Sequence, residues 1–305
     1  MARRGLAVAV AGSLVGLPVL LAGCGGGDEP ASAGRAPTGD HPDTFIPVVF
    51  ESDRGGNRNL WTIDFASPNP PTKIVSNPAI DTHPACSSDG TRIAYASNRL
   101  GNLELYTCNP DGSGLQRVTT FAGDDDYPSW SANGTRLVFS RRISQFRSHL
   151  YIAKADGSGP SRLTSGSVQD TEPNWSPAAG KIAFVRDGHI WAIKTDGTGL
   201  KKLTSGASAN HWPAWSPDGG RIAFSSDRDG DQEIFVMNAN GSGVTKLTKN
   251  ASQDMQPNWS SDAFHIVFAS DRVGGIFHIY VMDADGANQT ARTSGSAPDT
   301  HPVYR

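Results

Sequence analysis

From about residue 46 to the end, apolar and polar residues alternate in short runs cut by turn residues. The clearest stretch reads "HWPAWSPDGGRIAFSSDRDGDQEIFVMNANGSGVTKLTKNASQD". "PAWS" predicts a short strand, and "SPDGG" a turn in which proline pre-sets φ and glycine accepts φ > 0. "RIAFSS" is an apolar second strand, "DRDGDQ" its loop, and "EIFVMN" a third strand alternating with period two. "ANGSG" turns the chain into "VTKLT", a shorter and more polar fourth strand.

The pattern recurs around a marker proline at Pro84, Pro128, Pro173, Pro213, Pro257 and Pro302. Successive markers lie 44, 45, 40, 44 and 45 residues apart. Four antiparallel strands at that period describe one propeller blade. The predicted fold is therefore all-β, a six-bladed β-propeller of four-stranded antiparallel blades. A solenoid of such units would leave long sheet edges unpaired at both ends.

The first unit, from Ile46, contains second and third strands and, in "TKIVS", a fourth, but no first strand. The closing "DTHPVYR", Asp299 to Arg305, begins a unit and supplies only a first strand. The ring is thus expected to close through the C-terminal strand. Its blades would cover 46–82 plus 300–305, then 83–126, 127–171, 172–211, 212–255 and 256–299.

Ahead of the repeats, Arg3 and Arg4 precede an uncharged stretch from Gly5 to Leu21 and then "LAGC". That order reads as a lipoprotein signal over 1–23 with Cys24 as the lipidated residue. A membrane-spanning helix fits less well, because Pro18 interrupts a run barely long enough. "GGGDEPASAGRAPTGDHPDT" has almost no apolar side chain larger than alanine, so 24–44 reads as a flexible tether and 45–305 as the propeller. The expected location is extracytoplasmic, with the membrane reached through the lipid on Cys24. A net charge of −3 argues against a nucleic-acid partner.

Some recurrent residues read as structural. Trp130, Trp175, Trp215 and Trp259 share one place in the first strand, where Cys86 and Tyr304 replace them in two blades. A large aromatic repeated around a ring packs neighbouring sheets together. Cys108 aligns with Met237 and Met282 on the third strand. First and third strands lie two spacings apart, about 9–10 Å, beyond disulfide reach. Cys86 and Cys108 are therefore expected as thiols.

Two sets flank the marker prolines. Three residues ahead sit Asp81, Asp125, Asp170, Asn210, Asp254 and Asp299. Each fits an Asx cap of its own turn. As a ring at one channel mouth, the five carboxylates would instead raise the negative potential and suit a hard divalent cation such as Ca²⁺. Directly before each proline the chain reads His83, Tyr127, Glu172, Trp212, Gln256 and His301. A blade needs sameness, whereas an asymmetric ligand needs difference, so these six are the strongest ligand-binding candidates.

"SDR" recurs at Ser52-Asp53-Arg54, Ser226-Asp227-Arg228 and Ser270-Asp271-Arg272, where loop-internal salt bridges are expected. In the third blade "SRRISQFRSH", Ser140 to His149, reads as one loop carrying three arginines and a phenylalanine.

"PxWSPDGxxIAF", "SDRxG", "IYVM" and "DGSGxxxLT" together resemble the repeat of the TolB propeller, across all six blades. The resemblance implies a non-enzymatic envelope component that binds a peptidoglycan-associated lipoprotein at the channel mouth. TolB proteins also carry an N-terminal α/β domain; here a lipid anchor and short tether stand in its place. The implied partner is an envelope protein segment or a cell-wall component. Similar propellers occur in prolyl-oligopeptidase-type peptidases and oligogalacturonate lyases. The peptidases need a Gly-x-Ser-x-Gly elbow, which this sequence lacks. The lyases hold a divalent metal on channel-mouth histidines, which His83 and His301 with Gln256 or Glu172 could imitate. A metal-dependent polysaccharide lyase or hydrolase is therefore the alternative function.

Overall fold

The computed structural model describes residues 47–305. The signal sequence, Cys24 and the tether lie outside the described residues. Among the described residues, 24 strands form six four-stranded antiparallel sheets. The fifth sheet is typical: β16 (Asn210–Trp215), β17 (Arg221–Ser226), β18 (Glu233–Asn238) and β19 (Thr245–Lys246) lie side by side in that order. The corresponding first strands elsewhere are β4 (Asp81–Cys86), β8 (Asp125–Trp130), β12 (Asp170–Trp175), β20 (Asp254–Trp259) and β24 (Asp299–Tyr304). All six line a common channel.

The ring closes as the sequence predicts. The first sheet has the order β24-β1-β2-β3, with β1 spanning Val48–Ser52, β2 Asn59–Ile63 and β3 Thr72–Lys73. Val303 pairs with Val49, and Asp299 with Ser52. The boundaries shift by about two residues, because each first strand already begins at the Asp or Asn three residues ahead of the marker proline.

The fourth strands are only two residues long, and the recurrent "LT" shows why. Thr119, Thr164, Thr204, Thr248 and Thr293 each accept the third-strand backbone N–H through Oγ1, at 2.9 Å. The side chain thus replaces the ladder where the strand leaves the sheet. "DGSG" turns abut the preceding blade: a Cβ on Gly157 would lie 2.1 Å from the Val118 carbonyl oxygen.

The core is built from the second and third strands. Phe50, Tyr95, Phe139, Phe184, Phe224 and Phe268 occupy one equivalent place and are fully buried. Opposite them across the sheets stand Trp61, Tyr106, Tyr151, Trp191, Phe235 and Tyr280. The first-strand tryptophans bind blade to blade. Trp130 Nε1 donates to the Ala85 carbonyl at 3.1 Å, and Trp259 Nε1 to that of Ala214 at 3.2 Å. Cys86 and Cys108 are free thiols, separated by Ile93, which pairs with both. Burial pushes the Cys86 thiol up to about 12 and that of Cys108 up to about 11.

The third blade differs from the expectation. Ser140 to His149 is not one loop: β9 (Arg136–Ser144) and β10 (Arg147–Lys154) continue as a hairpin with a short turn. Its polar Ser and Arg residues mask the strand alternation, and Phe146 at the tip is 74% exposed.

Candidate functional site

The marker proline lacks a backbone N–H, so it cannot keep the first-strand ladder regular. Every first strand bulges there. In β4 the register jumps from Thr82–Ala96 to Ala85–Ala94, leaving His83 and Pro84 opposite Tyr95 alone. The same shift appears in the other five blades. The residue before each proline takes a left-handed conformation, with φ of 50° at His83, 52° at Tyr127 and Glu172, 49° at Trp212 and His301, and 60° at Gln256. This costs about 1–2 kcal/mol per non-glycine residue. The bulge turns each of these side chains out of its sheet and into the channel.

All six predicted ligand-binding residues consequently line one cavity of about 120 Å³ at the channel mouth. They also hold one another. Glu172 Oε2 accepts the Trp212 backbone N–H at 2.6 Å, and Gln256 Oε1 that of His301 at 2.9 Å. His83 stacks on Tyr127 with ring centres 3.9 Å apart and meets His301 edge-on at 4.5 Å. The Trp212 Nε1 donor is shielded from solvent and meets no acceptor among the described residues.

Sequence reasoning missed two acidic members. Glu51, on β1, is fully buried; its Oε1 accepts the His83 backbone N–H at 2.5 Å and lies 3.0 Å from His301 Nδ1. Asp126 Oδ1 lies 2.6 Å from His83 Nδ1 and accepts the Tyr127 N–H at 2.8 Å. The signal for Glu51 was a departure from the repeat. The other five blades carry Ala96, Ser140, Val185, Ser225 and Ala269 at its place.

The electrostatics follow from these contacts. Burial opposes the charge on Glu51, but His301 and His83 outweigh it and hold the carboxyl far below the usual range. Burial likewise presses His83 toward neutrality, yet Asp126 and Glu51 prevail and its pKa rises. His301 is lowered, by burial and then by the charge of His83, against the pull of Glu51. A second pair sits alongside: His211 Nδ1 lies 3.1 Å from Glu172 Oε1, and this bond raises the His211 pKa.

The aspartate ring is not an open cation site. Asp81, Asp125, Asp170, Asp254 and Asp299 are fully buried, and each meets an arginine: Arg99, Arg141, Arg186, Arg272 and Arg54 respectively. Asn210 meets Arg228 in the fifth blade at 2.9 Å. Each carboxylate is already engaged by a guanidinium, so these residues do not form the open ring of carboxylates that the sequence suggests. Each arginine also lies over the cross-strand aromatic pair of its blade. Arg272, for example, is 5.5 Å from the Phe268 ring centre and 4.5 Å from that of Tyr280. The "SDR" arginine therefore forms its ion pair or amide bond with the first strand, while its Nε also donates to the serine of its own motif, Arg54 to Ser52 at 3.0 Å, Arg228 to Ser226 at 3.0 Å and Arg272 to Ser270 at 2.8 Å.

A family model described as the TolB beta propeller domain matches residues 36–147 and 189–305. The chain belongs to the TolB β-propeller family. Among curated relatives, the Tol-Pal system protein TolB of Syntrophus aciditrophicus is 30% identical over 77 residues, 24% of this chain and 17% of the relative. That of Desulfosudis oleivorans is 34% identical over 85 residues, 27% of this chain and 18% of the relative. The matched segments thus span less than a fifth of either relative's length. Among solved structures, TolB from Acinetobacter baumannii superposes with a TM-score of 0.76 at 20% identity, over 86% of this chain and 67% of that one. The oligogalacturonate lyase of Vibrio parahaemolyticus reaches 0.57 at 16% identity, over 80% and 73%. At such identities the likeness is one of fold. Within this TolB-family propeller, the residues described that could hold a metal together are Glu51, His83 and His301.

Proposed function

We propose that this chain is a non-enzymatic binding propeller of the cell envelope, which takes a protein segment or cell-wall ligand at the channel mouth. One observation carries the reading. Six residues of identical strained backbone and mostly different chemistry converge on a single cavity. The bulge shared by all six blades turns these side chains toward one cavity, and the differing side chains suit an asymmetric ligand. Relatives named as Tol-Pal system proteins support an envelope assembly as the setting. Glu51, Asp126 and Glu172 give the mouth three carboxylates, which favour a ligand with positive charge.

The test combines His83→Ala, Trp212→Ala and His301→Ala in the full chain. Quantitative pull-down from envelope extract should lose the partners that wild type captures, with the melting curve retained. Capture by wild type should weaken as salt rises, since salt screens the long-range attraction that draws a charged ligand to the mouth. Equal capture by the triple variant would refute the site. Chelator-sensitive turnover of an acidic oligosaccharide would favour the lyase alternative instead. Anchoring through Cys24 is part of the proposal: a fatty-acid probe should label wild type, and equal label on Cys24→Ala would exclude it.

A further inference from the structure

Glu51, His83 and His301 come from three strands, β1, β4 and β24, yet their ligating atoms lie within 4.8 Å of one another. We infer that they form a site for one divalent transition-metal ion of the zinc type. The inference rests on the reading of the mouth as a binding site, but metal uptake can be measured without the mouth's own ligand.

The donor set comes first. Two imidazoles and one carboxylate suit Zn²⁺ and leave the fourth tetrahedral position for a donor from a bound molecule. Two nitrogen ligands disfavour Ca²⁺ and Mg²⁺, which take oxygen. Spacing comes second. Bonds of about 2.0–2.2 Å in a tetrahedron hold ligand atoms roughly 3.3 Å apart. His301 Nδ1 and Glu51 Oε1 already stand at 3.0 Å, so a cation can replace the proton they share. A small rotation of either ring brings in His83, whose centre is 4.5 Å from that of His301.

Orientation comes third. His83 Nδ1 is bound at 2.6 Å by Asp126, and its ring is stacked on Tyr127. A carboxylate behind one imidazole nitrogen fixes the tautomer and turns the other nitrogen out as a ligand. Glu51 has capacity to spare, because among the described residues its buried Oε2 makes no hydrogen bond, with Arg58 Nε at 3.7 Å. Finally, the three residues depart from the repeat together. Five blades fold without an acid at the place of Glu51, and four without histidine before the proline. Blade structure therefore does not require them.

The experiment is calorimetric titration of ZnCl₂ into the full chain, purified in detergent and stripped with chelator. Wild type should bind one Zn²⁺, and excess Ca²⁺ should not compete. His83→Ala and His301→Ala should each weaken binding by at least about 100-fold, while Asp126→Asn, acting through His83, should cost about 10–100-fold. His211→Ala should leave it unchanged. Glu51→Gln is read only if its melting curve shows a folded ring; Asp126→Asn, which alters no ligand, carries the test if it does not. Cobalt in place of zinc should give the visible absorption of a tetrahedral centre in wild type and in His211→Ala, but not in His83→Ala or His301→Ala. Absence of zinc binding by folded wild type, or its survival in the His83→Ala, His301→Ala double variant, would overturn the inference. Either result leaves the partner pull-down to decide the proposed function separately.

Discussion

Replacing Asp170 with alanine should destabilise the propeller by about 3–5 kcal/mol, because one half of a buried ion pair is removed. Asp170 opens β12, and its carboxylate is closed to solvent. Arg186 meets it in a fork, with Nε at 2.5 Å from Oδ1 and Nη2 at 2.8 Å from Oδ2. Behind the guanidinium lie the rings of Phe184 and Trp191, at 5.4 Å and 5.6 Å. In the native blade that guanidinium is only 11% exposed, and the alanine variant removes its anion. The bond to Asp170 raises the Arg186 pKa in the native state, and even without it an arginine keeps its proton.

Asp170→Asn should cost less, about 1.5–3 kcal/mol, the value of a hydrogen bond to a charged group. The fifth blade shows an amide in this place. Asn210 Oδ1 accepts from Arg228, while Nδ2 donates to the Gly188 and Ser208 carbonyls at 2.9 Å each. In a domain of this size 1 kcal/mol moves Tm by about 2–4 °C. The alanine variant should therefore melt roughly 6–20 °C lower and the asparagine variant roughly 3–12 °C lower. Circular dichroism melts, with urea titrations at unchanged slope, measure both. If Asp170→Ala melts within about 2 °C of wild type, the charged pair is not what holds the blade; if Asp170→Asn falls as far as alanine, an amide here does not replace the carboxylate as Asn210 does in the fifth blade.

Two further predictions concern closure and pH. Deleting residues 299–305 removes β24 and bares the β1 edge beside the buried Val48, Val49 and Phe50; aggregation or a larger fall in Tm than that of Asp170→Ala should follow, and an unchanged melting curve would refute closure. Because Glu172 raises the His211 pKa in the folded state, protonated His211 stabilises fully below its unfolded value of 6.5, and that stabilisation is lost as pH climbs through the folded value. The Tm gap between wild type and His211→Asn should accordingly be wider near about pH 5.5 than near about pH 9; a constant gap would contradict the pairing.

Much of this fold was legible because each blade repeats the same instructions. The 40–45-residue period, the turn residues and the split first unit sufficed for blade count and closure. The positive φ before each proline was not legible, since no local preference favours it in Tyr, Trp, Glu or Gln; it arises from the bulge. The Asp ring was misplaced for a different reason. Recurrence alone does not separate a cap from a pair, but an arginine accompanies each of the five acids, even where "SDR" lapses to "FVRDG" at Arg186. A repeated acid beside a repeated base is a pair. Glu51 went unseen because variation was sought only beside the prolines, although "VVFESDR" against "IAFSSDR" and "IVFASDR" carries the same kind of departure one strand away.

The pairing of the Asp ring also changes what governs the mouth. Five unpaired carboxylates around one axis would have dominated its potential whatever the neighbouring residues were. With each neutralised by an arginine and buried, the field there falls to Glu51, Asp126 and Glu172 set against His83 and His211. Those residues differ from blade to blade, so the field is lopsided around the ring. It is most acidic and most crowded with imidazole where the first blade meets the second and third. A ligand entering the channel therefore meets a mouth with one preferred side, and the repeated charges can be exchanged for stability without redirecting it. On the proposed reading, stability and recognition fall to different residues of the same short strand, two positions apart. That separation is why Asp170→Asn should lower Tm yet leave capture intact, while the His83, Trp212 and His301 substitutions should do the reverse.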